Sequence, residues 1–258
     1  MKEKKLVTKI GIVGIAGKMG RAIAKSAFSK KNILIKSGSE NCKNKFIGKD
    51  IGHLIGEKDT GIKVTDSIDN FFKEIDVVIE FGLEKATLQY LSQAKKNKKA
   101  FVSGSTALSN KTIMLMKKTS KHIPVFWAPN MSLGANLLRL LAEQTTKKLG
   151  YDFDIDITDI HHKHKKDTPS GTAKYIKDSL DKSLKEIKVR NKKINISALR
   201  SGDSTGEHSV IFSGEGERLT IEHVSTSRNI FANGALKVAS WIHNKKPGLY
   251  TMSDFLKI

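Results

Sequence analysis

A single cysteine, Cys42, in 258 residues leaves no partner for an internal disulfide and no thiolate set for a metal cage. That composition fits a reducing compartment, so the cytoplasm is the expected location. No apolar run approaches the roughly 20 residues that a bilayer-spanning helix needs, and a membrane is not expected as a partner. Arginine is scarce, at six of the 46 basic residues. Its planar fork is the group that makes bidentate phosphate and base-edge contacts. The formal charge of +20 therefore rests on lysines spread along the whole chain, which read as solvated surface rather than as a nucleic-acid face. The chain also lacks low-complexity linkers and internal repeats. Its opening, MKEKKLVTKIGIVGIAG, is broken by Lys9 and close glycines with no cleavage-like site behind them, and reads as a first strand rather than a leader.

What is present belongs to a folded protein, with 38% apolar and 28% charged residues. Short β-rich runs alternate with helical patterns through the first half: KIGIVG, MGRAIAKSAFSK, ILIKSGSE, DVVIEF, ATLQYLSQAKKN, AFVSGST, NKTIMLMKKTSK and PVFWAPN. Alternation of this kind predicts a Rossmann-like, doubly wound parallel sheet. The pattern changes near Ser132. A helical LGANLLRLLAEQTTKKL leads to the alternating FDIDITDI, to KINISALRSG, and to a hairpin-like pair, HSVIFSG and RLTIEHVS, joined around Gly214 and Gly216. The second block reads as a mostly antiparallel α+β unit. The expected division is a dinucleotide-binding domain over 1–131, a substrate and oligomerisation domain over 132–228, and a helical tail over 229–258 that packs back on the first.

Two clusters carry chemistry. In GIVGIAGKMGRAI, the residues Gly14, Gly17 and Gly20 are spaced between a predicted strand and a predicted helix. Glycine lets the backbone approach a pyrophosphate, and the N–H groups at the helix start face that anion. Glu40 ends the next predicted strand, where a carboxylate accepts ribose hydroxyls and repels a 2′-phosphate. NADH is accordingly expected to serve at least as well as NADPH, with Lys43 and Lys45 near enough to narrow the gap.

The second cluster is DIHHKHKKDTPSGTAKYI, Asp159 to Ile176. Along an extended strand His161 and His162 point to opposite faces, so they cannot share one role. Pro169-Ser170-Gly171-Thr172-Ala173 reads as a turn feeding a helix whose first N–H groups suit a carboxylate. Lys165 adds a full charge, and a histidine titrates near neutrality. A cationic loop beside a helix start points to an anionic substrate. Metal binding by His162 and His164 is the rival reading, but no third ligand accompanies them and the adjacent lysines repel a cation; no metal is expected. A solvated basic loop is the remaining alternative, and it leaves the Pro-Ser-Gly-Thr helix start unexplained.

HHKHKKDTPSGTA resembles the substrate-loop signature of the dihydrodipicolinate reductases, now called 4-hydroxy-tetrahydrodipicolinate reductases. The resemblance extends through GKMGR, APNMSLGAN, SGDSTGEHSV, GERLTIEH and SRNIFANGA. It implies NADH- or NADPH-dependent reduction of 4-hydroxy-2,3,4,5-tetrahydrodipicolinate, with loss of water, in the diaminopimelate route to lysine, by a homotetramer built through the second domain's sheet. It makes His161 and Lys165 catalytic, His161 as acid–base residue and Lys165 as proton donor. It also implies that His162, Gly171 and Thr172 hold a substrate carboxylate. Cofactor contacts would fall on Gly14, Ile15, Ala16, Gly17, Lys18 and Met19, on Glu40, on Gly104, Ser105 and Thr106, and on Ala128, Pro129, Asn130 and Met131. The chain departs from the family pattern at Glu80-Phe81-Gly82 (usually Asp-Phe-Thr or Asp-Phe-Ser), at Ala107 (usually Gly) and at Met131 (commonly aromatic). A reading from a different class, a non-catalytic dinucleotide sensor, has no use for proton donors facing a dianion.

Overall fold

The computed structural model describes residues 7–257. The described residues divide into two compact units, 7–131 with 231–255, and 132–230 with 256–257.

The first unit contains β1 (Thr8–Val13), α1 (Lys18–Phe28), β2 (Ile33–Ser39), α2 (Ile51–Ile55), α3 (Ile68–Phe72), β3 (Val77–Glu80), α4 (Glu84–Lys96), β4 (Ala100–Ser103), α5 (Asn110–Thr119), β5 (Pro124–Trp127) and β10 (Gly248–Tyr250). Its six strands run in the order β10-β5-β4-β3-β1-β2, and every pairing is parallel. The doubly wound sheet expected from the alternation is therefore present. Strands β3 and β4 are buried at every position, as a parallel sheet covered on both faces requires. Helix α1 buries Gly20, Ile23, Ala24 and Ala27, a stripe with helical spacing. Gly14 has φ of +69°, and a β-carbon on Gly20 would overlap Gly14 O and lie 2.6 Å from Ile15 Cα. The first glycine makes the turn and the third lets α1 close on β1.

Three elements of this unit escape the sequence pattern. Helices α2 and α3 have five residues each, too short to show a period, although Asp50 and Ser67 cap them through Gly52 N and Asn70 N. Strand β10 has three residues and pairs with the distant β5.

The second unit contains α6 (Leu133–Leu149), β6 (Asp154–His161), α7 (Gly171–Glu186), β7 (Asn195–Arg200), β8 (Gly206–Gly214) and β9 (Glu217–Ser225). The sheet order is β7-β6-β8-β9. Strands β6–β8 and β8–β9 are antiparallel, whereas β6–β7 is parallel, because α7 carries the chain back across the sheet. Period-2 alternation along β6 turns Ile155, Ile157, Asp159 and His161 inward. There the two isoleucines pack with Leu138 and Ala142 of α6, Ile176, Leu180 and Leu184 of α7, and Val210 and Phe212 of β8. Helices α8 (Asn229–Ile242) and α9 (Met252–Leu256) complete the chain. No helix among the described residues is long and apolar enough to cross a membrane.

Candidate active site

In the first unit, the residues expected to hold a dinucleotide lie at the carboxyl ends of parallel strands, the edge where such sheets bind ligands. Gly14 to Gly17 form the turn after β1, and Lys18 and Met19 open α1. Gly17 stands at the N-cap and supplies no side-chain cap, so the helix start is presented by backbone N–H groups. Glu40 follows β2 and accepts from Ala16 N at 2.8 Å and from Asn41 N at 3.3 Å. The carboxylate is thus fixed against the glycine turn, as a ribose-binding group at that position would be. Gly104, Ser105 and Thr106 follow β4, and Ala128, Pro129, Asn130 and Met131 follow β5. Trp127 Nε1 donates to Ser105 O at 3.0 Å and ties these two segments together. A cradle that a β-carbon would fill, a fixed carboxylate and a helix start fit a dinucleotide. Steady-state kinetics should show NADH used at least as well as NADPH; a preference for NADPH above about tenfold would contradict the ribose role of Glu40.

In the second unit, the loop of histidines and lysines runs from the end of β6 to the start of α7. His161 is buried and His162 half-buried, while Lys163, His164 and Lys166 are exposed. The loop is held by backbone bonds from His162 N to Ser204 O, Lys163 N to Gly202 O and Ser201 N to His161 O. The SGDST segment therefore backs the histidine loop. Lys165 is 22% exposed, and its Nζ lies 2.7 Å from Asp167 Oδ1. Ser170 caps α7 by accepting from Ala173 N at 3.1 Å, and Gly171 and Thr172 are the first residues of the helix. A β-carbon at Gly171 would meet nothing within 4 Å, and the Asp167 carboxylate that pairs with Lys165 also accepts from the Gly171 N–H.

Beneath the loop is a buried polar network that the sequence reading did not include. Asp159, fully buried, accepts from Ser170 N at 2.8 Å and from Arg200 Nη2 at 3.0 Å, both through Oδ2. Its Oδ1 lies 3.0 Å from His161 Nδ1 and 3.3 Å from His208 Nε2, off the axis of either ring's N–H. Burial raises the Asp159 carboxyl, but the contacts with His208, Ser170 and Arg200 outweigh it and hold the group well below the usual range. Burial pushes His161 down to about 4; Asp159 opposes that shift, while the charges of His208, Lys165 and Arg200 reinforce it. At neutral pH the His161 ring is therefore uncharged. Two helix starts share one device: His208 Nε2 lies 3.3 Å from Ser170 Oγ at α7, and His223 Nε2 lies 3.4 Å from Ser132 Oγ at α6.

Asp159, His161 and His208 are the metal-ligand types that meet here. The Arg200 guanidinium already matches the charge of that carboxylate, and a cation would be repelled by it and by Lys165.

Residues 8–131 match the family model described as dihydrodipicolinate reductase, N-terminus, and residues 134–256 match dihydrodipicolinate reductase, C-terminus. The chain belongs to the dihydrodipicolinate reductase family. A 4-hydroxy-tetrahydrodipicolinate reductase of Hahella chejuensis is 36% identical over 97% of this chain and 99% of that protein. The protein of the same description from Buchnera aphidicola is 37% identical over 98% of each. Among solved structures, a dipicolinate-bound dihydrodipicolinate reductase from a Paenisporosarcina species has a TM-score of 0.81 at 20% identity, covering 97% of this chain and 100% of that one. A scyllo-inositol dehydrogenase of Lactobacillus casei, solved with NAD(H) and scyllo-inositol, has a TM-score of 0.61 at 14% identity, covering 97% and 93%. Those two show the fold. As a member of this reductase family the chain is an oxidoreductase.

Proposed function

We propose that the chain reduces 4-hydroxy-2,3,4,5-tetrahydrodipicolinate to 2,3,4,5-tetrahydrodipicolinate, with loss of water, in the diaminopimelate route to lysine. The observation that carries this reading is that Lys165 and the start of α7 meet through Asp167, whose carboxylate pairs with the Lys165 ammonium and accepts from the Gly171 N–H, beside a buried His161. Positive groups and backbone donors so arranged suit a ring with two carboxylates. The first unit, 1–131 with the returning C-terminal segment, holds NADH or NADPH through Gly14 to Met19, Glu40, Gly104 to Thr106 and Ala128 to Met131. The dinucleotide, when bound, supplies hydride to the substrate.

The second unit binds and orients. Gly171 and Thr172 fix one carboxylate, and fixing it removes orientation entropy from the reaction. The Lys165 ammonium offsets charge that develops on the nitrogen-containing ring and delivers the proton that completes reduction. His161 is neutral, so it orients and relays, leaving proton delivery to Lys165. Pyridine-2,6-dicarboxylate should compete with substrate, since it presents two carboxylates but takes no hydride, and pyridine-2-carboxylate should bind far less well. Equal inhibition by the two would remove the dianion reading of the loop.

The open face of the second sheet supports assembly into a homotetramer. Leu199, Ile160, Glu207 and Val224 line up across its four strands, on the side opposite α6 and α7. Leu199 and Val224 are 53% and 49% exposed, and this face is the surface through which a homotetramer forms. Light scattering tests it, and a monomer's mass at micromolar concentration would count against it. A single cysteine and a biosynthetic activity of this kind support a cytoplasmic location.

A further inference from the structure

Glu80 ends β3 with its side chain fully buried, and no Lys, Arg or His forms an ion pair with it among the described residues. Its carboxylate is instead ringed by donors. Thr87 Oγ1 and Ser103 Oγ each lie 2.9 Å from Oε2, and Ser105 Oγ lies 3.0 Å from Oε1 and 3.1 Å from Oε2. The N–H of Gly82 donates to Oε1. Those donors come from the loop after β3, from α4, from the end of β4 and from the loop after β4. A buried carboxyl without a counter-ion is costly unless such donors are fixed around it. That cost is unnecessary for packing alone, where a Leu or Met of similar size would serve.

The surroundings are equally specific. A β-carbon on Gly82 would lie 3.1 Å from Glu80 Oε1, so the bare backbone at 82 leaves room for the carboxylate. A β-carbon on Gly104 would overlap the Phe81 ring, so the two loops lie in direct contact. Ser105 Oγ also lies 2.9 Å from Gly82 O, so its single hydroxyl hydrogen is shared between the two loops. Thr106, the next residue, is exposed.

We propose that Glu80 is a positioning residue for the dinucleotide: its buried carboxylate locks the loop after β3 to the loop after β4, and so fixes the backbone of Gly104 to Thr106 that faces the cofactor. The inference rests on the reading that this second loop touches the dinucleotide. Glu80 itself touches no cofactor, since hydroxyls and one backbone N–H enclose it.

The test is a kinetic comparison of Glu80→Gln, Thr87→Val and Thr106→Glu, with thermal melting recorded for each. Glu80→Gln removes the charge but keeps the shape; it should raise KM for NADH about tenfold while kcat at saturating NADH stays within about threefold. Thr87→Val takes away one donor without changing side-chain size, and should raise the same KM by about threefold. Inhibition by pyridine-2,6-dicarboxylate should be unchanged in both. A purely structural glutamate would lower the melting temperature and leave KM for NADH where it was. Thr106→Glu places a charge on the exposed face of the loop and checks the underlying reading. If it leaves NADH binding unaltered, the loop does not face the dinucleotide, and the proposal falls with that reading. If Thr106→Glu weakens NADH binding but Glu80→Gln does not, the cofactor reading stands and the role of Glu80 is overturned. Should Glu80→Gln fail to fold, Thr87→Val decides, and an unchanged KM there overturns the proposal.

Discussion

Replacing Lys165 by Ala should lower kcat/KM by on the order of 10²-fold or more, about 2.7 kcal/mol of transition-state stabilisation. Lys165 is the half-buried lysine of its loop, and His161 feels its charge. In the proposed reading one ammonium supplies both a fixed charge for the dianion and a proton for the ring, and losses of both kinds fall on the transition state. Lys163→Ala and Lys166→Ala should stay within about threefold, because both side chains are exposed. NADH binding should survive all three changes, since the dinucleotide turn lies in the other unit. Near-normal turnover in Lys165→Ala, with activity abolished in Lys166→Ala, would overturn the assignment of roles within this loop while leaving the family intact.

The second large effect is expected at Asp159. Asp159→Asn keeps the shape but strips the charge that faces Arg200, leaving a guanidinium only 14% exposed without its carboxylate. Breaking one side of such a pair costs about 3–5 kcal/mol, and urea unfolding at pH 7 should show a loss of that order. Activity should fall as well, because Asp159 holds both Ser170 N and the surroundings of His161. The sign with pH follows from the depressed carboxyl. Its contribution is fully present above the ordinary value of 3.8 and disappears as pH falls through the lower folded value. The gap between wild type and Asp159→Asn should therefore be constant above about pH 4 and close below it. Equal stability of the two at pH 7 would show that the network contributes nothing.

Local pattern made some of this legible and non-local pairing hid the rest. Gly14, Gly17 and Gly20 are read directly from spacing, because a strand, a tight turn and a helix follow one another without any distant partner. His161, Lys165 and Gly171 are likewise neighbours in sequence. Asp159 stands at the head of the same stretch, which by itself gives it no role. Its meaning depends on His208 lying opposite it on β8 and on Arg200 standing opposite His161 on β7, and neither register is contained in a local window. The sequence marked Glu80 only as a departure from a family pattern. Its cage becomes visible once β3 and β4 pair so that Glu80 faces Ser103. Strand β10 is hidden for a similar reason, since three residues show no alternation and gain their order from β5.

Strand β6 serves two surfaces with alternate residues. Asp159 and His161 face the buried network, and Thr158 and Ile160 face outward toward the proposed subunit contact. Each residue of one set is a single peptide unit from a residue of the other, with no loop between them to absorb a displacement. A packing change behind Ile160 would reach the carboxylate at 159 and the imidazole at 161 as a shift of their own backbone, so in the proposed assembly strain at the subunit contact and the geometry of the proposed site would be carried by the same eight residues.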